Sequence, residues 1–75
     1  MKEDVHVVPH NGDWAVRREG SDRLSSVHDR QREALHAGRS TARRERVELV
    51  THDAKGRIRN SDSYGKDPFP PRDRK

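Results

Sequence analysis

The residues best suited to a chemical role in this chain are its arginines. Six arginines and only two glutamates lie between Arg30 and Arg46. A guanidinium group presents a planar fork of donors that matches a phosphate group. At helical spacing, one stripe collects Arg32, His36, Arg39, Arg43 and Arg46. This spacing predicts a helix face that contacts phosphates, and the alternative is an ordinary solvated face. We call Arg32, Arg39 and Arg43 the helix set.

A second group of arginines lies in segments that are typical of β-strands. If the apolar residues between them face the core, alternation places Arg17, Arg57 and Arg59 on the exposed side of a sheet. We call these three the sheet set. They could lie along a nucleic-acid backbone, or they could form cross-strand ion pairs. We expect the sheet set to contribute more than the helix set to nucleic-acid binding. The small inward residues of the helix indicate that it mainly packs behind the sheet and supports it.

The remaining polar residues do not predict catalysis. His6, His10 and His52 could meet in a three-histidine zinc site, but each is also explained as a residue on a strand surface. The absence of cysteine excludes thiolate ligands and a cysteine nucleophile. The serines lie in polar segments without a positioned base, and a small domain has little volume for a cleft. We therefore predict no enzyme activity, no metal, no cofactor and no small-molecule substrate.

The elements that must position these residues begin with a hairpin. The β-branched run at residues 5–9 predicts a strand, and alternation at residues 14–19 predicts a second strand. Asn11-Gly12 between them is a strong signal for a tight hairpin turn. Trp14, the only tryptophan, falls on the inward phase and is predicted to be the central core residue.

One helix is predicted from Arg30 to about Glu45. Asp29 is the expected N-cap, with Ser26 as the alternative. The inner face is composed of small residues, which allow a helix to approach a sheet closely: Ala34, Gly38 and Ala42.

Two more strands follow, at residues 47–52 and 57–61, with Gly56 in the left-handed position of their turn. The predicted fold is α+β, with a ββαββ order and an antiparallel four-stranded sheet covered by the helix on one face. The expected core consists of Val5, Val7, Trp14, Val16, Leu35, Ala42, Leu49 and Ile58.

Several stretches in this order resemble the bacterial family called domain of unknown function 2188. They are Val5-His6-Val7-Val8-Pro9, Trp14-Ala15-Val16, Glu19-Gly20, Ser25-Ser26 before a helix with Gln31, Glu33 and Ala34, then Glu48-Leu49, Gly56-Arg57-Ile58-Arg59 and Ser63-Tyr64-Gly65-Lys66-Asp67-Pro68. The resemblance covers nearly the whole chain and agrees with two hairpins. It implies no activity and no catalytic residue.

The domain organisation predicted for the 75 residues is a flexible start at 1–4, a domain at 5–66 and a Pro-rich basic tail at 67–75. No apolar run is long enough to cross a membrane and no signal peptide is visible, so a cytoplasmic location is expected.

The net charge of +4 comes mainly from arginine, which indicates either a partner with phosphate groups or a GC-rich genome that favours arginine codons. Our leading hypothesis is a small non-catalytic module that associates with duplex DNA through its arginines. The alternative is a protein-interaction or self-association module, in which the open sheet face meets a second copy in a homodimer.

Overall fold

A computed structural model of the chain describes residues 3–65. The strands are β1 (Val5–His10), β2 (Asp13–Arg18), β3 (Leu24–His28), β4 (Glu48–His52) and β5 (Ile58–Ser63), and the helix α1 spans Gln31–Glu45. They form a five-stranded sheet in the order β3-β2-β1-β4-β5. The predicted tail at 67–75, and residues 1 and 2 of the predicted flexible start, lie outside the described part of the chain.

The first hairpin is confirmed. β1 and β2 pair antiparallel from Val5 opposite Arg18 to His10 opposite Asp13. The two loop residues both have positive φ, 50° at Asn11 and 86° at Gly12, as a type I′ turn requires. This turn follows the right-handed twist of the strands, so the local sequence is sufficient to specify it.

The predicted four-stranded antiparallel sheet is wrong in two linked respects. β3 pairs with β2 at the sheet edge, and β1 pairs with β4 in parallel. Three antiparallel strands before the helix leave the chain running in the direction of β1, and the helix then returns it across the sheet. The next strand must run parallel to β1. An additional strand before the helix therefore reverses the polarity of the central pair.

The helix is confirmed over nearly its predicted length, but its predicted cap is wrong. The N-cap is Arg30, which is extended and makes no capping hydrogen bond with its side chain. The Arg30 carbonyl accepts the N–H groups of Glu33 and Ala34, so Asp29 lies one residue too early, while Ser26 belongs to β3. Within the described residues, no helix is long and apolar enough to cross a membrane.

The small inner face of the helix sets how closely it packs. Ala34, Gly38 and Ala42 are its buried residues. A Cβ atom built on Gly38 would lie 3.0 Å from both Leu49 Cδ1 and Val7 Cγ2. The helix thus rests directly on the central strands, and the buried core cluster is Val5, Val7, Val16, Ala34, Ala42, Val47 and Leu49.

Two predicted core residues are misplaced. Trp14 is only half-buried and packs against the core from its side, because it pairs with Pro9 at the hairpin end of the sheet. Ile58 is 67% exposed. It begins edge strand β5, beside an irregularity in the β4–β5 pairing between Thr51 and His52. Leu35 is also half-buried, and the other five predicted core residues are buried.

An ion pair attaches the end of the helix to the sheet. The Arg18 guanidinium donates to both carboxylate oxygens of Glu45, with Nη2 to Oε2 at 2.6 Å. Such bidentate pairs are stronger than single hydrogen bonds between neutral groups. This pair uses an arginine of β2 for structure and removes it from the surface available to a ligand.

Candidate functional site

A shallow groove between α1 and β5 brings arginines of both predicted sets together. We call it the helix–β5 groove. It has a volume of about 270 Å³ and is lined by Gln31, Arg32, Leu35, Arg39, Thr51, Arg59, Asn60 and Asp62. Enclosed small-molecule sites usually have volumes of about 300–1,000 Å³. The dimensions of this groove suit a surface contact better than enclosure of a ligand.

Hydrogen bonds at the start of the helix hold the groove together. The amide of Gln31 donates to the His52 carbonyl at 3.1 Å, and its Oε1 accepts from Arg59 Nη1 at 3.2 Å. Gln31 therefore connects α1 to β4 and also orients an arginine of β5. The pairing irregularity leaves Arg59 without a partner in register, where its side chain can reach the helix.

The helix set is available for binding. Arg32, Arg39 and Arg43 are all exposed, and none of them forms an ion pair with any residue in the described range 3–65. A second depression, of about 330 Å³, adjoins the groove through their shared residue Arg39 and also contains His36, Ser40 and Arg43. We call the helix set together with Arg59 the arginine surface.

A buried hydroxyl in the groove lacks a partner. Thr51 is 3% exposed, and its Oγ1 forms no hydrogen bond with the residues that the structure describes. Leaving such a group unsatisfied costs about 1–3 kcal/mol. An oxygen atom entering the groove could accept its hydrogen. The half-buried Asp62 carboxylate lines the same groove, so an anion would be favoured on the Arg32–Arg39 side, away from Asp62.

The sheet set is not brought together. Arg17 lies on β2, which β1 and β4 separate from the strand that carries Arg59. Arg17 Nη1 donates to the carbonyls of Arg18 and Ser21, each at 3.3 Å. Arg57 pairs with Asp53 at 3.5 Å, four residues earlier in the same turn, which is a local pair and not a cross-strand one. The expected common outward face is wrong, and Arg59 belongs with the helix set.

The turn between β4 and β5 explains the pairing of Arg57. Asp53 Oδ1 accepts the backbone N–H groups of Lys55 and Arg57, both at 2.9 Å. The N–H of Arg57 makes the largest contribution to lowering the pKa of the Asp53 carboxyl. Desolvation opposes it in part, and the N–H of Lys55 lowers the pKa further. These bonds stabilise the ionised carboxylate and leave Arg57 committed to the turn.

We predict that Asp53 titrates below the ordinary aspartate pKa of about 3.9. Because its folded pKa is lowered, its contribution to stability is present above the unfolded pKa and is lost as the pH falls through the folded value. NMR titration of the side-chain carboxyl carbon measures this midpoint directly. In the Arg57→Pro variant, which lacks that N–H, the midpoint should rise. An Asp53 midpoint at or above 3.9 in the parent would contradict the assignment.

The three histidines that were weighed as a zinc site separate into a pair and a single residue. His6 and His52 are within hydrogen-bonding distance at 2.9 Å, whereas His10 is exposed at the hairpin. Across residues 3–65, no group of three or more His, Cys, Asp or Glu side chains is arranged to hold a metal ion.

Sequence reasoning missed Thr51, Gln31 and Asn60 as groove residues. A threonine inside a β-branched strand carries no signal that its hydroxyl is unpaired, and a glutamine at the start of a helix carries no signal of its partners on other strands. The contact between α1 and β5 is long-range, so the spacing within either element could not reveal it.

Comparison with known proteins covers the same region. A family described as an uncharacterized protein conserved in bacteria (DUF2188) matches residues 5–64. The uncharacterized protein YdaT of Bacillus subtilis (strain 168) is 31% identical over 65 residues, which are 87% of this chain and 43% of that relative. The chain thus spans less than half the length of this curated relative. No solved structure matches significantly.

Proposed function

Because the chain belongs to the DUF2188 family of bacterial proteins, whose description specifies no ligand, we propose a function from the site itself: a non-catalytic module that binds the backbone of duplex DNA in the cytoplasm. The observation that carries this proposal is the arginine surface, where Arg32, Arg39 and Arg43 are exposed and form no ion pairs among residues 3–65. Arginines with a structural role in this protein bond to protein groups instead, as Arg18 does to the Glu45 carboxylate and Arg17 to backbone carbonyls.

The spacing of the helix set suits a row of phosphates. Arg32 and Arg43 are eleven positions apart in one helix, which is about 16 Å at 1.5 Å per residue. Each DNA strand carries one phosphate per ~3.4 Å of axis, so a stripe of this length can contact several phosphates. Long arginine side chains can adjust to the exact positions, and such contacts carry no base sequence information.

Recognition of single strands has less support. Base stacking needs exposed aromatic rings, whereas both aromatic residues in the described range, Trp14 and Tyr64, are partly buried and pack against the core. The Asp62 carboxylate in the groove also favours contact along the outer helix face over deep insertion of a phosphate. We therefore propose a surface contact with the duplex backbone.

The test is a titration of a labelled duplex by fluorescence anisotropy over a range of salt concentrations. With three to five phosphate contacts, the slope of log affinity against log salt should be about −3 to −4.5, because each contact releases counterions. Duplexes of unrelated sequence should bind alike. Absence of binding at low salt, or an affinity that does not respond to salt, would refute the proposal.

Self-association is the second candidate, and one observation favours it. Val27 on β3 is 48% exposed and Ile58 on β5 is 67% exposed, and both are large hydrophobic side chains on edge strands. A homodimer would cover them. If the protein binds no duplex and its sedimentation coefficient rises with concentration, self-association replaces the DNA proposal.

A further inference from the structure

Two histidines on neighbouring parallel strands have ring nitrogens directed at each other. His6 Nδ1 and His52 Nε2 are 2.9 Å apart, and the rings are tilted by 31° with centroids 5.2 Å apart. In the β1–β4 register His6 lies opposite Val50, two residues before His52. By alternation, both side chains lie on the sheet face away from the buried Val5 and Val7, and therefore away from the helix.

The other nitrogen of each ring has an acceptor as its partner. His6 Nε2 lies 2.8 Å from Glu19 Oε1, and His52 Nδ1 lies 3.1 Å from the Gly56 carbonyl oxygen. A carboxylate and a carbonyl can only accept, so both nitrogens must carry hydrogen. A neutral imidazole has only one N–H group. In two neutral rings, therefore, the nitrogens that face each other both present lone pairs.

Two lone pairs at 2.9 Å repel unless an electron-pair acceptor lies between them. The acceptor could be a proton or a metal ion. Histidine ligands in metal sites usually donate their second N–H to a carboxylate or a backbone carbonyl, which fixes the tautomer and the ring orientation. Glu19 and the Gly56 carbonyl supply these two kinds of partner. Outer partners on both rings are the feature that distinguishes this pair from a chance contact.

We propose that His6 and His52 bind a divalent transition metal ion, with Zn²⁺ as the reference ion. Zn–N bonds of about 2.0–2.1 Å in tetrahedral geometry separate two ligand nitrogens by about 3.3 Å. The two nitrogens would move apart by about 0.4 Å from their present separation of 2.9 Å, and the rings would turn so that both lone pairs point to the ion. Water completes the coordination, since residues 3–65 offer no cluster of three ligands.

Neighbouring charges permit a cation at this position. Arg17, opposite His6 in the β1–β2 register, directs its guanidinium to the carbonyls of Arg18 and Ser21. Glu19, whose side chain is 60% exposed, supplies a negative charge next to the His6 ring. The site lies on the opposite side of the sheet from the helix, so it does not depend on the arginine surface or on DNA binding.

The test is calorimetric titration of metal-free protein with Zn²⁺, alongside NMR of the imidazole nitrogens. We expect one ion per chain, with the largest shifts at His6 Nδ1 and His52 Nε2. The Glu19→Ala variant, altered at an exposed position, should bind roughly 10–100-fold more weakly, because it removes the acceptor of the His6 Nε2–H group. The His6→Gln and His52→Gln variants should lose more than that. His10→Gln is the matched control, because it removes an exposed histidine from the same strand.

Three results would overturn the assignment. One is equal loss of Zn²⁺ binding in the His10→Gln variant. Another is parent-like affinity in the Glu19→Ala variant, which remains informative even if the two histidine variants do not fold. The third is a proton held between the rings that excess Zn²⁺ does not displace, which would make the pair a protonated structural contact only.

Discussion

Leu49→Ala is expected to lower the free energy of unfolding by about 2–5 kcal/mol. Leu49 is fully buried on the central strand β4, and its Cδ1 lies against the helix at Gly38. Truncation would leave a cavity that the two closely packed elements cannot readily fill. A domain of 75 residues has a total stability of only about 4–11 kcal/mol at 0.05–0.15 kcal/mol per residue. The variant should therefore be partly or largely unfolded at room temperature.

Ile58→Ala is the matched control, because it removes an aliphatic side chain that the sequence also placed in the core. Because Ile58 is 67% exposed, its truncation should change the free energy of unfolding by no more than about 0.5 kcal/mol. Urea unfolding followed by the fluorescence of Trp14 measures both variants. Equal destabilisation by the two substitutions would show that β5 presents Ile58 to the core.

Replacing the helix set with glutamine should reduce the dependence of duplex binding on salt. Loss of Arg32, Arg39 and Arg43 removes up to three phosphate contacts. The slope of log affinity against log salt should therefore become less negative by about 2.7, at roughly 0.9 per contact. If affinities converge near ~1 M salt, the variant should bind about 10²–10³-fold more weakly at ~0.1 M. All three side chains are exposed, so the fold should be retained.

The control for this experiment has the same net charge. A variant with Arg17, Arg23 and Arg57 changed to glutamine also loses three positive charges, but none of these residues lines the helix–β5 groove. Its salt slope should stay close to that of the parent. Arg59→Gln should make the slope of log affinity against log salt less negative by about 0.9. Equal slopes in the two triple variants would mean that general charge, and not the arginine surface, determines binding.

Local features of this fold could be predicted because their causes lie within a few residues. Asn11-Gly12 adopts the positive φ values that its tight turn needs. The spacing of Ala34, Gly38 and Ala42 identifies the buried helix face. The turn before β5 likewise places Gly56 in the left-handed region, at φ 84°. In each case the side chain, or its absence, determines the backbone conformation directly.

β3 shows why the strand order and the parallel pairing could not be predicted from the sequence. Leu24–His28 places serines on both faces of the strand, so its sequence lacks an apolar alternation. It becomes a strand by hydrogen bonding to β2 at the sheet edge. The parallel pairing of β1 and β4 follows from that additional strand, and it also determines which histidines meet. An error in one element therefore changed the predicted neighbours of several others.

The candidate site likewise has features with local causes and features with long-range causes. The sequence by itself determined that the helix carries a stripe of arginines opposite a face of small residues, because helical periodicity is a local property. Only the tertiary structure decided that Arg59 joins Arg32 and Arg39, and that His6 faces His52. Strand order and register depend on hydrogen bonds and packing between segments far apart in the chain, and a slip of one residue moves a side chain to the other face of the sheet.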